Sequence, residues 1–287
     1  MRRFAYHEPK TLEEASRLLV DLGENAHVLA GGTDLFVEIR ERLRDVSDVV
    51  NIKNIPGMTD ITWDPAVGLT FGALVTARQL ETLPGVQRTY PNFAEALRLL
   101  ASIQVRNRAT VVGNLCRASP SADTIPPLIA DGAIIHIYTP KGMRRMPLAE
   151  FFTGPGRTRL ERGDIATGIV IPAPAPDSGR IYLKHGRRKA MELATVGVAV
   201  SLDRDGDTCT NARIALGAVG PTVLRASAAE ALLKGRKITD ELIAQVGAQA
   251  MAECTPISNV RASADYRRSM VGVLTRRAVK TAMEATQ

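Results

Sequence analysis

The stretch Val28-Leu29-Ala30-Gly31-Gly32-Thr33-Asp34-Leu35 joins a short apolar run to two consecutive glycines. Residues 27–30 (HVLA) read as a buried strand, and Gly31-Gly32 breaks it. Residues 35–43 then resume a helical period through Phe36, Ile39 and Leu43. Two glycines after a buried strand let successive backbone N–H groups point outward together, and let an anion approach closely. Thr33 adds a hydroxyl donor. The arrangement suits a pyrophosphate. It equally suits a tight strand-to-helix turn capped by Thr33 or Asp34. On this segment alone both readings stand.

Upstream, Thr11-Leu12-Glu13-Glu14 is a capping box: the Thr11 hydroxyl can accept from the Glu14 N–H while the Glu14 side chain reaches back. Leu12, Ala15, Leu18, Leu19 and Leu22 repeat at helical spacing, and Gly23 ends that helix. Downstream, residues 49–52 (VVNI) read as another strand. The first ~55 residues thus alternate strand and helix, a small α/β unit. No G-x-G-x-x-G and no Walker A loop occurs, so a dinucleotide held here needs a different fold.

A second glycine-bearing segment follows at Thr110-Val111-Val112-Gly113-Asn114, after a polar run that turns β-branched. Gly113 permits close backbone approach. Asn114 and Ser119 offer neutral donors. Asp123 offers a carboxylate for a ribose or a ring N–H, or caps a short helix beginning near Pro126. Around this segment, residues 68–72 read as a strand, Thr76 as an N-cap, and residues 93–103 as a helix with Phe93, Leu97 and Leu100 on one face. Residues 119–127, rich in Ser, Asp and Pro, form a turn or loop. Residues 133–138 (AIIHIY) are a strand turned at residues 140–142.

Residues 172–176 (PAPAP) mark the best domain boundary, as an extended polyproline II spacer. Beyond it come strands near residues 180–184, 196–202 and 212–216, the last two joined at Asp205-Gly206. Helical patterns follow at residues 226–233, 242–252 and 266–283. A small sheet followed by a helix bundle is an α+β module. Residues 184–195 (KHGRRKAMELAT) gather cations that could pair with a phosphate or an anionic ring, or form a solvated loop.

Composition narrows the function. The chain has 287 residues, 45% of them hydrophobic and 23% charged, so wholesale disorder is excluded. The longest charge-free stretch, residues 65–77, is thirteen long, and a spanning helix needs about twenty apolar residues. The start, MRRFAYHEPK, has no apolar run behind its arginines, so a cytoplasmic location is expected. Three widely spaced cysteines with no C-x-x-C pair, and four scattered histidines, give no iron–sulfur or other metal site. The net charge of +7 invites nucleic acid, but interspersed acids and only 4% aromatic residues favour a basic face or an anionic-ligand site. No hydrolase motif emerges, and no catalytic residue is expected.

Taken together and in order, the segments resemble the FAD-binding medium subunit of the molybdenum hydroxylases. That family includes carbon monoxide dehydrogenase, xanthine dehydrogenase and aldehyde or aromatic-heterocycle dehydrogenases. Phe4-x-Tyr6-x-x-Pro9-x-Thr11 opens the resemblance. AGGTDL (30–35) and VRNRATVVGNLCRASPSAD (105–123) are its flavin motifs, and GDIATGIVIP (163–172) precedes the linker. KHGRRKAMELATVGVAV (184–200), RIALGAVGPTVLRA (213–226) and RASADYRR (261–268) look like the subunit's C-terminal domain.

The resemblance implies an α+β chain. Residues 1–58 and 59–172 would be two subdomains of an FAD-binding fold of the PCMH/vanillyl-alcohol-oxidase type. Residues 173–178 would link them to a C-terminal flavoprotein domain at 179–287, a small antiparallel sheet with a helix bundle. Carried over residue by residue, the cofactor-binding set is Val28, Leu29, Ala30, Gly31, Gly32, Thr33, Asp34, Leu35, Leu100, Thr110, Val111, Val112, Gly113, Asn114, Asp123, Ala166 and Lys184. A Cβ at Val112, where the family often has glycine, leaves the close approach to Gly113. Asp34 adds a negative charge unless it turns away to cap the following helix. The implied function is electron transfer through non-covalent FAD. A [2Fe-2S] small subunit would supply the electrons, a molybdopterin large subunit would oxidise the substrate, and the assembly would be a dimer of heterotrimers. A stand-alone flavin-dependent oxidoreductase is the alternative, and a basic nucleic-acid-binding protein a remote one.

Overall fold

The computed structural model describes residues 3–285. Residues 1–2, on which the leader reading partly rests, and residues 286–287 lie outside the described residues.

The first unit holds β1 (Ala5–His7), α1 (Leu12–Leu22), β2 (Ala26–Leu29), α2 (Leu35–Arg40) and β3 (Asp48–Asn51). The strands form a parallel sheet in the order β1-β3-β2, so the alternation of strand and helix builds crossover connections. Ala15 and Leu19 bury the apolar stripe of α1. Thr11 caps α1 by accepting from the Glu14 N–H at 3.1 Å. The reach-back of Glu14 goes one residue further than a capping box requires, to the Lys10 N–H at 2.8 Å. α2 stops at Arg40 rather than Leu43, because Arg42 takes a left-handed φ of 58° and leaves Leu43 exposed.

The second unit begins with β4 (Ile61–Asp64) and β5 (Gly68–Gly72) and passes through six short helices. These are α3 (Ala77–Glu81), α4 (Pro84–Thr89), α5 (Pro91–Leu99), α6 (Ile103–Arg106), α7 (Val111–Arg117) and α8 (Ile125–Ala130). It returns through β6 (Ile134–Thr139), β7 (Gly142–Pro147), the small hairpin of β8 (Phe152–Gly154) and β9 (Arg157–Thr158), and β10 (Ile165–Pro172). The main sheet is antiparallel in the order β4-β5-β10-β6-β7, so the last strand of the unit lies at the centre of its sheet. Phe71 of β5 and Phe93 of α5 stack in its core with ring centroids 6.3 Å apart.

One expectation fails here for a local reason. The helix expected over 93–103 ends at Leu99; Leu100 is extended and Ala101 left-handed at φ 45°, and Ser102 caps a new helix. The β-branched run after Thr110 is helical, since the Thr110 hydroxyl caps α7 by accepting from the Gly113 N–H at 3.1 Å.

The third unit holds β11 (Ser178–His185), β12 (Val196–Asp205), β13 (Thr208–Gly217), β14 (Leu224–Arg225), α9 (Ser227–Leu233), α10 (Asp240–Glu253) and α11 (Ala264–Glu284). The four strands are antiparallel in chain order. Alternation along them splits the sheet into two faces. Val198, Val200, Ile214 and Leu216 pack into the core formed with the helices. Tyr182, Ala199 and Ala215, a single row across three strands, join the core of the preceding unit. The proline-rich stretch before β11 does not stand off as a spacer: the Ala173 N–H donates to Val67 O at 3.2 Å, and the Ser178 hydroxyl to Ala175 O at 2.7 Å.

The second and third units also meet through buried charge. Asp131 accepts from the Asn92 amide at 3.0 Å and from the Ser201 hydroxyl, and lies 3.1 Å from Arg180 Nε. Burial pushes the Asp131 carboxyl up, against the opposing pull of Arg180.

Candidate functional site

The two glycine bends touch. A Cβ built on Gly31 would lie 2.1 Å from the carbonyl oxygen of Arg108, so only glycine lets the first bend seat on the backbone leading into the second. Gly32 takes φ +78°, which carries the chain away from β2 into α2. Between the bends opens a cavity of about 460 Å³, inside the range of roughly 300–1,000 Å³ usual for ligand pockets.

Its floor is rich in unpaired donors. Gly31, Gly32, Thr33 and Asp34 all line the cavity, and none of their backbone N–H groups has an acceptor among the described residues. Consecutive amides of this kind form an anion-binding nest. The second bend adds the N–H of Val112, also unpaired and also on the wall. This reverses the expectation that Gly113 makes the close approach. The Gly113 N–H is taken by Thr110, and a Cβ on Gly113 would sit 2.6 Å from the Thr110 hydroxyl oxygen. Gly113 therefore protects the cap and Val112 supplies the donor. Asn114 accepts from the Thr124 hydroxyl at 2.7 Å through Oδ1, which leaves its amide N–H₂ for the cavity.

Asp34 stands at the N-cap of α2 but makes no side-chain capping bond. Its carboxyl is pushed up by partial desolvation, with Arg117 pulling the other way. A shared ion cluster lies beside it: Glu38 pairs with Arg44 at 2.8 Å and with Arg117 at 3.1 Å, linking the first and second units. The rest of the wall is mostly apolar, with Ile52, Ala73, Val105, Ala109 and Ile165 among its residues. Leu193, from the loop between β11 and β12, brings the third unit to the same cavity.

Of the expected set, Val28, Ala30, Gly31, Gly32, Thr33, Asp34, Leu35, Leu100, Thr110, Val112, Gly113, Asn114 and Ala166 line this cavity. Leu29 and Val111 are buried behind it. Asp123 and Lys184 are not on its wall. Asp123 neither caps α8, whose N-cap is Thr124, nor stands open to a ligand. Its carboxylate accepts from Lys184 Nζ at 2.7 Å and from the Tyr182 hydroxyl at 2.9 Å. Burial pushes the Asp123 carboxyl up and the Lys184 ammonium opposes that shift. Lys184 also reaches Leu99 O at 3.4 Å, so it ties β11 to the end of α5. Sequence reasoning missed the apolar wall and the Glu38–Arg44–Arg117 cluster; these residues carry no motif and only the fold assembles them. Among the described residues no group of acids, histidines or cysteines could hold a metal ion. No helix there is long and apolar enough to cross a membrane.

Comparison with known proteins matches the chain in two stretches. Residues 2–174 match the family model described as the FAD binding domain in molybdopterin dehydrogenase. Residues 181–282 match the CO dehydrogenase flavoprotein C-terminal domain. The carbon monoxide dehydrogenase medium chain of Hydrogenophaga pseudoflava is 35% identical over 280 residues, covering 98% of this chain and 97% of that protein. A putative xanthine dehydrogenase FAD-binding subunit of Escherichia coli is 30% identical over 282 residues, covering 98% and 96%. Among solved structures, carbon monoxide dehydrogenase from Hydrogenophaga pseudoflava superposes with a TM-score of 0.95 at 36% identity, covering 99% and 98% of the two chains. Quinoline 2-oxidoreductase from Pseudomonas putida 86 gives a TM-score of 0.91 at 30% identity, covering 99% and 98%. With matches running nearly end to end in both sequence and fold, the chain belongs to the family of FAD-binding medium subunits of molybdenum hydroxylases, and is an oxidoreductase subunit.

Proposed function

We propose that this chain holds FAD non-covalently in the cavity and acts as the electron-transfer subunit of a heterotrimeric molybdenum hydroxylase. It would take electrons from a [2Fe-2S] small subunit, downstream of a molybdopterin large subunit, and pass them to an external acceptor. The proposed assembly is a cytoplasmic dimer of heterotrimers. The observation that carries this reading is the continuous row of unpaired amides from Gly31 to Asp34, in residues that line the same cavity as Val112, whose amide is also unpaired. That cradle fits a diphosphate, and the apolar wall beyond it fits a flat ring system.

The bound flavin supplies the ability to accept electrons singly and release them in pairs. The residues of this chain bind, orient and exclude water. Gly31, Gly32, Thr33, Asp34 and Val112 hold the diphosphate through backbone donors, and Asn114 adds a side-chain amide. Ile52, Ala73, Leu100, Val105 and Leu193 keep the ring's surroundings dry. Ala166 lies on β10 beside the bulge between Ala166 and Gly168. Leu29 and Val111 support the bends from behind. Asp123 and Lys184 act on the cavity indirectly, by fixing β11 against α5. No residue of the chain is assigned as acid, base or nucleophile.

The full-length chain, purified, should be yellow and release FAD on denaturation. A colourless preparation that also fails to take up added FAD would overturn the reading. Copurification tests the assembly: an iron–sulfur protein and a molybdenum protein should accompany the chain, whereas substrate turnover by the isolated chain would favour a stand-alone enzyme.

A further inference from the structure

The wall of the cavity includes a bend whose shape is imposed from behind. Leu100 and Ala101 both line the cavity, and Ala101 holds the left-handed φ of 45° without being glycine. That conformation is unfavourable for a residue with a Cβ and persists only where surrounding contacts fix it. The contacts are specific. Arg106 Nη1 donates to Leu100 O at 2.7 Å and to Ala101 O at 3.4 Å. The same guanidinium is gripped by Glu81, with Nε to Oε2 at 2.8 Å and Nη2 to Oε1 at 3.2 Å. Both side chains are nearly out of solvent, at 7% and 11% exposure. Arg78 closes on Glu81 at 3.0 Å, and on the far side Lys184 takes Leu99 O. Three consecutive carbonyls, from Leu99 to Ala101, are therefore turned toward cations.

This orientation has a consequence for the amide that follows. All described peptide bonds are trans, and in a trans peptide the carbonyl and the next N–H point in opposite directions. With Leu100 O drawn to Arg106, the Ala101 N–H points away from Arg106. It has no acceptor among the described residues. An unpaired donor on the wall of a cavity calls for a partner within that cavity. Arginine suits the task because its planar fork can chelate a carboxylate and still present a further N–H to a carbonyl.

We infer that Arg106, anchored by Glu81, is a positioning residue that aims the Ala101 N–H into the cavity as a hydrogen-bond donor to an electron-rich edge of the flavin ring. The inference rests on the FAD reading above. A donor fixed in place on a mostly apolar wall favours the reduced ring, which has gained electron density, over the oxidised one. The pair thus raises the flavin's reduction potential as well as its affinity.

The test compares the full chain with Arg106→Lys and with the double variant Glu81→Leu/Arg106→Met. The double variant replaces the buried pair by apolar side chains, so neither of its charges is left stranded, and Arg78, the other partner of Glu81, is 38% exposed and stays solvated. Glu95→Gln serves as a control, since Glu95 pairs with Arg98 on the solvent side of α5. FAD is titrated into each apo chain, and the midpoint potential of the bound flavin is read by spectroelectrochemistry. Expected are an FAD Kd weakened about tenfold and a potential shifted negative in the double variant, with Arg106→Lys intermediate and Glu95→Gln unchanged. A wild-type Kd and potential in either Arg106 variant would show that the Ala101 N–H faces only water, and would overturn the inference. Failure of the wild-type chain itself to bind FAD would overturn the parent reading instead.

Discussion

Asp123 and Lys184 face each other at 2.7 Å across the boundary between the second and third units, with side chains only 5% and 7% exposed. Tyr182, two residues before Lys184 on the same strand, donates to the other carboxylate oxygen. Removing one partner of a buried pair leaves the other desolvated and uncompensated. Asp123→Asn should therefore lower unfolding stability by about 3–5 kcal/mol. Urea denaturation of the full chain checks this, and a loss under about 1 kcal/mol would mean that water reaches Lys184.

The seat of Gly31 on Arg108 gives a sharp contrast between two glycines. Gly31→Ala places a methyl against backbone that cannot yield, so the bend must shift. FAD affinity should fall about tenfold or more, equivalent to about 1.4 kcal/mol or more. Gly85, in α4, has nothing within 4 Å of its would-be Cβ. Gly85→Ala should leave FAD binding intact and raise stability by about 0.5–1 kcal/mol. Calorimetric FAD titration and thermal melts of both variants read the difference.

Proton uptake by His27 should weaken the fold as pH falls. Burial holds the His27 imidazole below the ordinary value of 6.5, and Arg44, 3.4 Å from Nδ1, acts in the same direction. The unfolded chain then binds its proton first, so stability rises with pH through this window and is lost as pH drops below about 6.5. His27→Gln should flatten part of that slope between pH 7 and pH 5. Identical pH profiles for the two proteins, measured by denaturant midpoints, would exclude His27 as the source.

The thiols should be silent until the chain opens. Burial pushes Cys116 up to about 12 and Cys209 up to about 11, and raises Cys254 as well. At pH 8 Cys116 and Cys209 hold almost no thiolate and Cys254 less than a free thiol would, and thiolate is the reactive species. Iodoacetamide should label none of the three cysteines in minutes under native conditions and all three in urea, as counted by intact mass. Rapid native labelling of Cys116, which lines the cavity, would show that the cavity is wetter than its wall implies.

Much of this fold was legible because its signals are local. The cap at Thr11, the glycine pair at 31–32, the turn at Asp205-Gly206 and the cap at Thr76 are each set by side chain and backbone within a few residues. The misses share the opposite property. β1 is three residues of an edge strand, too short for a period to register. The end of α5 has no Gly or Pro signal, since the break at Ala101 is imposed by Arg106 from outside the helix. Val111 and Val112 are poor helix formers, yet they sit in the first turn of α7, where the Thr110 cap and tertiary packing outweigh propensity. At the site, the family motifs located the amide cradle. The placement of Asp123 behind the wall depends on two residues of β11 about sixty positions away, which no local pattern encodes.

Arg180, Tyr182 and Lys184 alternate along the outermost strand of the third unit's sheet and so project from one side of it, each engaging an aspartate or core of the unit before. Two neighbouring lobes pegged by every second residue of one strand cannot slide past one another in small increments; the next matching arrangement lies a full two residues along. Nor can they be cut apart cleanly. A version of this protein ending at Pro172 would carry Asp123 and Asp131 with no cations to meet them, so the flavin-binding half and its companion are built to fold as a single cooperative body.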